Sequence, residues 1–158
     1  MIRRPPRSTQ GVSSAASDVY KRQLLANGNV LLLDNGAHRR GLSSSRIVEV
    51  DPATDEIVWQ YRGDPMVSFF THFTGGADRL PNGNTLITEG MTGRLFEVTQ
   101  SNQIVWEYIS PFYGVVDGVN NLESLNSSFR AHRYGYDYSG LKGMDLDPNK
   151  YGNMNRLF

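Results

Sequence analysis

The sequence has no cysteine, which excludes disulfides, thiolate metal sites and cysteine nucleophiles and leaves the compartment open. No apolar run approaches the roughly 18–20 residues of a membrane span. The N-terminal residues, as they stand, carry no apolar stretch of a secretory signal. There is no net charge, with 16 basic and 16 acidic residues, but the charges are unevenly spread. Residues 1–23 hold Arg3, Arg4, Arg7, Lys21 and Arg22 against a single acid, Asp18, which leaves the remainder at net −4. A body of that sign argues against nucleic acid as the main partner. What is present is a globular composition: 158 residues, 39% hydrophobic and 11% aromatic, enough for one ordinary domain. The 16 glycines and 7 prolines suit short strands joined by turns.

Residues 1–23 show neither strand alternation nor a helical apolar face, and the composition changes abruptly at Leu24. The runs Ile2-Arg3-Arg4-Pro5-Pro6-Arg7-Ser8-Thr9 and Ser17-Asp18-Val19-Tyr20-Lys21-Arg22-Gln23 resemble a translated sequencing-adapter read. This segment is expected to be foreign or disordered and to pack against nothing. The fold is then carried by residues 24–158, and the natural protein continues upstream.

From Leu24 onward the chain repeats itself. Leu25-Ala26-Asn27-Gly28-Asn29-Val30-Leu31-Leu32 matches Leu80-Pro81-Asn82-Gly83-Asn84-Thr85-Leu86-Ile87. Arg46-Ile47-Val48-Glu49-Val50 matches Arg94-Leu95-Phe96-Glu97-Val98, and Ile57-Val58-Trp59-Gln60-Tyr61 matches Ile104-Val105-Trp106-Glu107-Tyr108. The offsets are 55, 48 and 47 residues, the first being larger because the first copy has a longer loop, Asn35 to Ser45. A period near fifty with strand-like units is a β-propeller signature. Asn-Gly between apolar runs predicts a tight hairpin with positive φ at both turn residues. Ile57, Trp59 and Tyr61 alternate onto one face, as do Ile104, Trp106 and Tyr108, so the two tryptophans should occupy equivalent, largely buried positions between blades. The predicted fold class is all-β: a partial β-propeller of about two four-stranded antiparallel blades plus the start of a third. The inner strand of the second blade is expected near Phe73–Leu80, and entry to the third near Ser128–Tyr138.

The motifs also carry a family resemblance. Asn27-Gly28-Asn29-Val30-Leu31-Leu32-Leu33-Asp34-Asn35-Gly36 is followed by Ser44-Ser45-Arg46 and the Val48-Glu49-Val50 strand, then by Arg79-Leu80-Pro81-Asn82-Gly83-Asn84-Thr85-Leu86-Ile87-Thr88. With the two Trp-containing strands and Phe129-Arg130-Ala131-His132-Arg133-Tyr134, this pattern resembles the bacterial arylsulfotransferase family over nearly all of Leu24 to Leu141. The resemblance implies a six-bladed propeller exported to the periplasm or secreted. It implies transfer of a sulfuryl group from an aryl sulfate to a phenol through a histidine intermediate, with those two small molecules as partners and no cofactor or metal. The family's nucleophilic histidine precedes the first Asn-Gly-Asn block. No histidine lies between Met1 and Gly36 here, so the nucleophile cannot be carried over and the chain by itself is expected to be inactive. Alternatives are a non-catalytic ligand- or partner-binding propeller, or a propeller oxidoreductase with a quinone cofactor.

Within that reading the catalytic candidates are His72, Arg79 and His132, and the substrate-binding candidates are Arg46, Arg130 and Arg133. His72 with Arg79 suits an anion, since cationic side chains stabilise charge on transferring oxygens; the plainer reading is a loop histidine and an arginine pairing with Asp78. Arg46 lies near the same end, although Arg94 at its repeat position points to a structural role for both. The segment of Arg130, His132 and Arg133 is either an anion pocket or a strand with its polar face outward. His38-Arg39-Arg40 has the character of a solvated run. Asp145-Leu146-Asp147-Pro148-Asn149 opens like a calcium loop, but Lys150 stands where glycine is required and Arg156 where the bidentate glutamate belongs, so it is rejected. Asn126-Ser127-Ser128 is a glycosylation sequon.

Overall fold

A computed structural model describes residues 22–114 and 126–151. It contains two four-stranded antiparallel sheets, each in simple sequence order. The first is β1 (Arg22–Leu24), β2 (Val30–Asp34), β3 (Arg46–Asp51) and β4 (Glu56–Arg62). The second is β5 (Gly76–Arg79), β6 (Thr85–Glu89), β7 (Arg94–Val98) and β8 (Ile104–Ile109). No α-helix occurs among the described residues. The chain is thus all-β, two propeller-like blades built from the two sequence copies. Arg22 and Gln23, placed by sequence in the leading segment, form most of β1; residues 1–21 lie outside the described residues.

The Asn-Gly loops differ from the expected two-residue turn. Gly28 donates to the Leu25 carbonyl at 3.0 Å, and Leu25 donates to Asn29 at 2.9 Å. Gly83, Leu80 and Asn84 repeat this at 2.9 and 2.8 Å. Only the glycines have positive φ, +88° and +86°, so each loop is a three-residue hairpin with glycine in the left-handed position. The asparagines have other work. The Asn27 and Asn82 side-chain oxygens accept the backbone N–H of Asn29 and Asn84, and their amides reach β3 and β7, as described below.

The alternation expected on the fourth strands is broken by a bulge in each blade, between Glu49 and Val50 opposite β4 and between Glu97 and Val98 opposite β8. Trp59 pairs with Glu49 but Ile57 with Val50, and Glu49 and Val50 point to opposite faces. Ile57 therefore leaves the face of Trp59 and Tyr61, and Ile104 leaves that of Trp106 and Tyr108 by the same register.

The core lies between the blades. Leu31, Leu33, Ile47 and Tyr61 on one face of the first blade meet Ala77, Ile87, Phe96 and Val98 on the facing side of the second. Phe69, on the connection between them, is fully buried. Its ring lies 5.8 Å from Tyr61 and 5.6 Å from Phe96, while Tyr61 and Phe96 are 5.6 Å apart. Such a tilted aromatic triad adds to burial the preference of ring edges for ring faces.

The two tryptophans do occupy the same register position, each opposite the central glutamate of the third strand. Their burial differs, where both were expected to be largely buried. Trp59 is half-buried and donates its indole N–H to the Gln100 carbonyl of the second blade at 2.9 Å. Trp106 is 40% exposed, stacked on Tyr108 and capped by Arg133. The difference is one of cover: a whole blade packs beside Trp59, whereas among the described residues a single segment packs beside Trp106. That segment, residues 126–134, forms no strand. It nonetheless docks on the second blade, with Ser128 donating to Gly90 at 2.8 Å, Gly75 to Phe129 at 3.3 Å and Ala131 to the Thr88 hydroxyl at 3.1 Å.

Candidate functional site

Because strands alternate in direction, the molecule has two ends. The β2–β3 loop, the β4–β5 connection and the β6–β7 turn share one. The Asn-Gly hairpins and the β3–β4 and β7–β8 turns share the other.

At the first end a cleft of about 770 Å³ is walled by Arg22, Leu32, His38, Arg39, His72 and Phe73. His72 is exposed, with the Phe70 and Phe73 rings edge-on at 6.2 and 6.1 Å. Its backbone N–H is held by the Met91 sulfur at 3.1 Å. The long loop unique to the first copy delivers His38 and Arg39, which sequence had read as a solvated run. Asp34 anchors this rim, accepting from Arg39 and Arg46 at 2.8 Å each. Burial pushes the Asp34 carboxyl up, but the Arg46 hydrogen bond and the nearby Arg39 charge outweigh it and hold it below its ordinary value. The cleft therefore gathers two imidazoles and cations around a mixed polar and apolar wall, a setting able to take an anion attached to an aromatic body.

Arg46 itself does not line this cleft. It is the register partner of Asp34, as Arg94 is of Glu89. Arg94 pairs with Glu89 at 3.2 Å and with Glu107, and lies 4.3 Å over the Phe96 ring. Burial would lower its basicity, but Glu107 and Glu89 prevail and raise it. These are equivalent cross-strand ion pairs, one per blade.

At the opposite end the structure builds a second repeated unit, a polar clasp. The side-chain amides of Asn27 and Asn29 both donate to Glu49, at 3.2 and 2.8 Å. Those of Asn82 and Asn84 donate to Glu97, at 3.1 and 2.7 Å. Each glutamate then receives an arginine from the next inner segment: Arg79 reaches Glu49 at 2.8 Å, and Arg133 reaches Glu97. Each arginine lies 4.8 Å over the tryptophan of the blade whose glutamate it meets, Arg79 over Trp59 and Arg133 over Trp106. Burial raises the Glu97 carboxyl, and Asn84, Asn82 and Arg133 together overcome this to leave it lowered. Arg79 is further fixed through its backbone, which exchanges hydrogen bonds with Gln23 at 2.6 and 3.3 Å.

Between the ends, Asp78 on β5 holds the last two candidates. One of its carboxylate oxygens accepts from Arg130, and the other meets the His132 Nδ1 at 2.8 Å. The six candidates thus fall into three places: His72 at the cleft with Arg46 behind its rim, Arg130 and His132 on Asp78, and Arg79 and Arg133 in the clasps. Arg79 pairs with Glu49 and not with the adjacent Asp78. Asp34, Glu49 and Glu97 were not singled out by sequence, and Asp78 only as a local partner for Arg79. The two glutamates had a usable signal, an acid at the same place in both copies in the middle of an apolar strand.

Residues 20–111 match the arylsulfotransferase (ASST) family, a span of more than half the chain. A crystal structure of a protein of unknown function from Bacteroides caccae, at 1.35 Å resolution, aligns at 19% identity with a TM-score of 0.40, over 55% of this chain and 29% of its own. Against that solved chain, then, the present sequence spans less than a third of its length. A search of the curated proteins finds no match.

Proposed function

The chain belongs to the arylsulfotransferase family, and on that premise we propose that it is part of a propeller that moves a sulfuryl group from an aryl sulfate to a phenol through a histidine intermediate. The observation that carries this reading is the convergence of His38, Arg39, His72 and Arg22 on one cleft beside Phe73. A sulfate ester presents three oxygens sharing negative charge, attached to a flat apolar ring. Cationic and N–H-bearing side chains suit the first, and an aromatic wall suits the second. We assign binding of the donor's sulfate to this cleft. The nucleophile is assigned to the inner-strand position before Asn27, which holds no histidine in this sequence. We further propose that the working protein is periplasmic or secreted and includes additional blades.

The test is direct. The chain as given should bind 4-nitrophenyl sulfate without hydrolysing it or passing sulfate to a phenol, and His72→Ala with Arg39→Ala should abolish binding. The intact protein carrying this chain should acquire a sulfuryl adduct on histidine when incubated with donor alone. Binding to the chain with neither adduct nor turnover in the intact protein would favour a ligand-binding propeller. That reading has its own support, since Arg39, Arg46, Arg79, Arg130 and Arg133 are all paired with carboxylates.

A further inference from the structure

The cleft assigned to a sulfate has a carboxylate in its wall. Asp34, the last residue of β2, lines it beside His38 and Arg39, with its side chain 31% exposed. One of its oxygens accepts the Gly36 N–H at 3.0 Å, and the other accepts from Arg39 and Arg46 at 2.8 Å each. Gly36 is part of the same arrangement. It sits at φ +72°, and a Cβ there would overlap the Ser44 carbonyl oxygen and crowd the Arg39 guanidinium, so any side chain would push the loop off Asp34. The second blade has an acid at the same register position, Glu89 opposite Arg94, but its side chain is only 7% exposed and does not reach the cleft. The structure thus opens this acid to the cleft in the first blade and buries its counterpart in the second.

Two guanidiniums around one carboxylate leave the group of Asp34, Arg39 and Arg46 with a single net positive charge. A sulfate monoester carries one negative charge. A phosphate monoester of the same shape carries about −1.5 to −2 at pH 7, and its extra charge meets the Asp34 carboxylate as repulsion. Burial opposes ionisation of Asp34, but the Arg46 hydrogen bond and the Arg39 charge outweigh it, so the carboxylate is charged at neutral pH. Rejecting the wrong ligand with a fixed like charge is a general route to specificity. We propose that Asp34 is the specificity-determining residue of the cleft, admitting esters with one negative charge and disfavouring doubly charged phosphate esters; this rests on the sulfuryl-transfer reading above.

The test is calorimetric titration of the chain at about pH 7.5 with 4-nitrophenyl sulfate and with 4-nitrophenyl phosphate. The ratio of the two affinities is the readout, because a loop merely loosened by substitution weakens both together. The wild-type chain should favour the sulfate by roughly tenfold or more. Asp34→Asn keeps the shape and an accepting oxygen but removes the charge, and should shrink that preference by about tenfold, mainly through tighter phosphate binding. Asp34→Glu keeps the charge and should keep the preference. Arg46→Gln removes a cation behind the rim and should widen it. Asp34→Asn and Arg46→Gln act in opposite directions, so either one, if folded, decides the matter. A preference that a folded variant of this pair leaves unmoved overturns the charge-matching role. Equal affinity of the wild-type chain for both esters overturns the selectivity and leaves the sulfate assignment standing. Binding of neither ester overturns the sulfate assignment and this inference together.

Discussion

The two blades are nearly copies at one end and unlike at the other. At the Asn-Gly end, each has the same three-residue hairpin, the same pair of asparagine amides on a buried glutamate, and the same arginine laid over tryptophan. At the other end, the first blade carries an eleven-residue loop from Asn35 to Ser45 that holds His38 and Arg39, where the second has the short turn of Gly90 to Gly93. What repeats serves blade-to-blade attachment, which every blade must solve in the same way. What does not repeat gathers around a cleft, which only one place in a propeller needs. The arginines divide along this line: Arg79 and Arg133, both candidates by sequence, belong to the attachment, and Arg39, read from sequence as part of a solvated run, belongs to the cleft.

The sharpest way to break the comparison is to remove the clasp arginines one at a time. Arg79 is 12% exposed beside a Glu49 that is 9% exposed, so Arg79→Ala leaves an uncompensated buried carboxylate and should cost about 3–5 kcal/mol. Arg133 is 38% exposed although its Glu97 is only 5% exposed, so water screens one partner alone and Arg133→Ala should cost less than Arg79→Ala, about 1–3 kcal/mol. Urea midpoints of the two variants should differ accordingly; equal losses would mean that the second clasp is as well covered as the first.

A smaller effect tests their likeness. Gly28→Ala and Gly83→Ala each place a Cβ in open space at positive φ, so only backbone strain opposes them, about 1–2 kcal/mol apiece. Equal destabilisation in chemical denaturation is expected; a loss at one position only would show that the two loops are not equivalent.

The acid limb of the stability curve should carry a smaller signal still. The folded Glu97 carboxyl lies below its ordinary value of 4.5, so the unfolded chain binds the proton more readily. The resulting stability is fully present above pH 4.5 and is lost as pH falls through the lower, folded value. Glu97→Gln should flatten this part of the profile in pH-dependent thermal melts, and an unchanged slope would remove Glu97 as its source.

The smallest stability effect is expected at the cleft. His38→Ala with His72→Ala should move stability by no more than about 0.5 kcal/mol, as surface substitutions do, while binding of 4-nitrophenyl sulfate falls. Unfolding of this variant would show that the cleft is built into the fold.

Much of the fold was legible because its signals are local. Asn-Gly marks a hairpin, β-branched residues alternate over five or six positions, and the order of the three matched blocks repeats. The strand bulges were hidden, since Ile57-Val58-Trp59 reads as plain alternation until the register of the partner strand is known. The site was far less legible. Asp34 with Arg39, Asp78 with His132 and Glu49 with Arg79 are separated by 5, 54 and 30 residues. No periodicity announces such pairings, so an arginine committed to a buried acid looks the same in sequence as one that lines a cleft.

By itself, then, the sequence determined the family, the all-β class, the blade as the repeating unit and the equivalence of Trp59 with Trp106, all of which follow from the order and spacing of neighbouring residues. Only the tertiary structure decided which charges neutralise one another, which tryptophan is covered, and that His38, Arg39 and His72 share a cleft while Arg79 does not. Those outcomes depend on which strand of one blade lies against which face of the next, and side chains brought together in that way are joined by packing and charge alone.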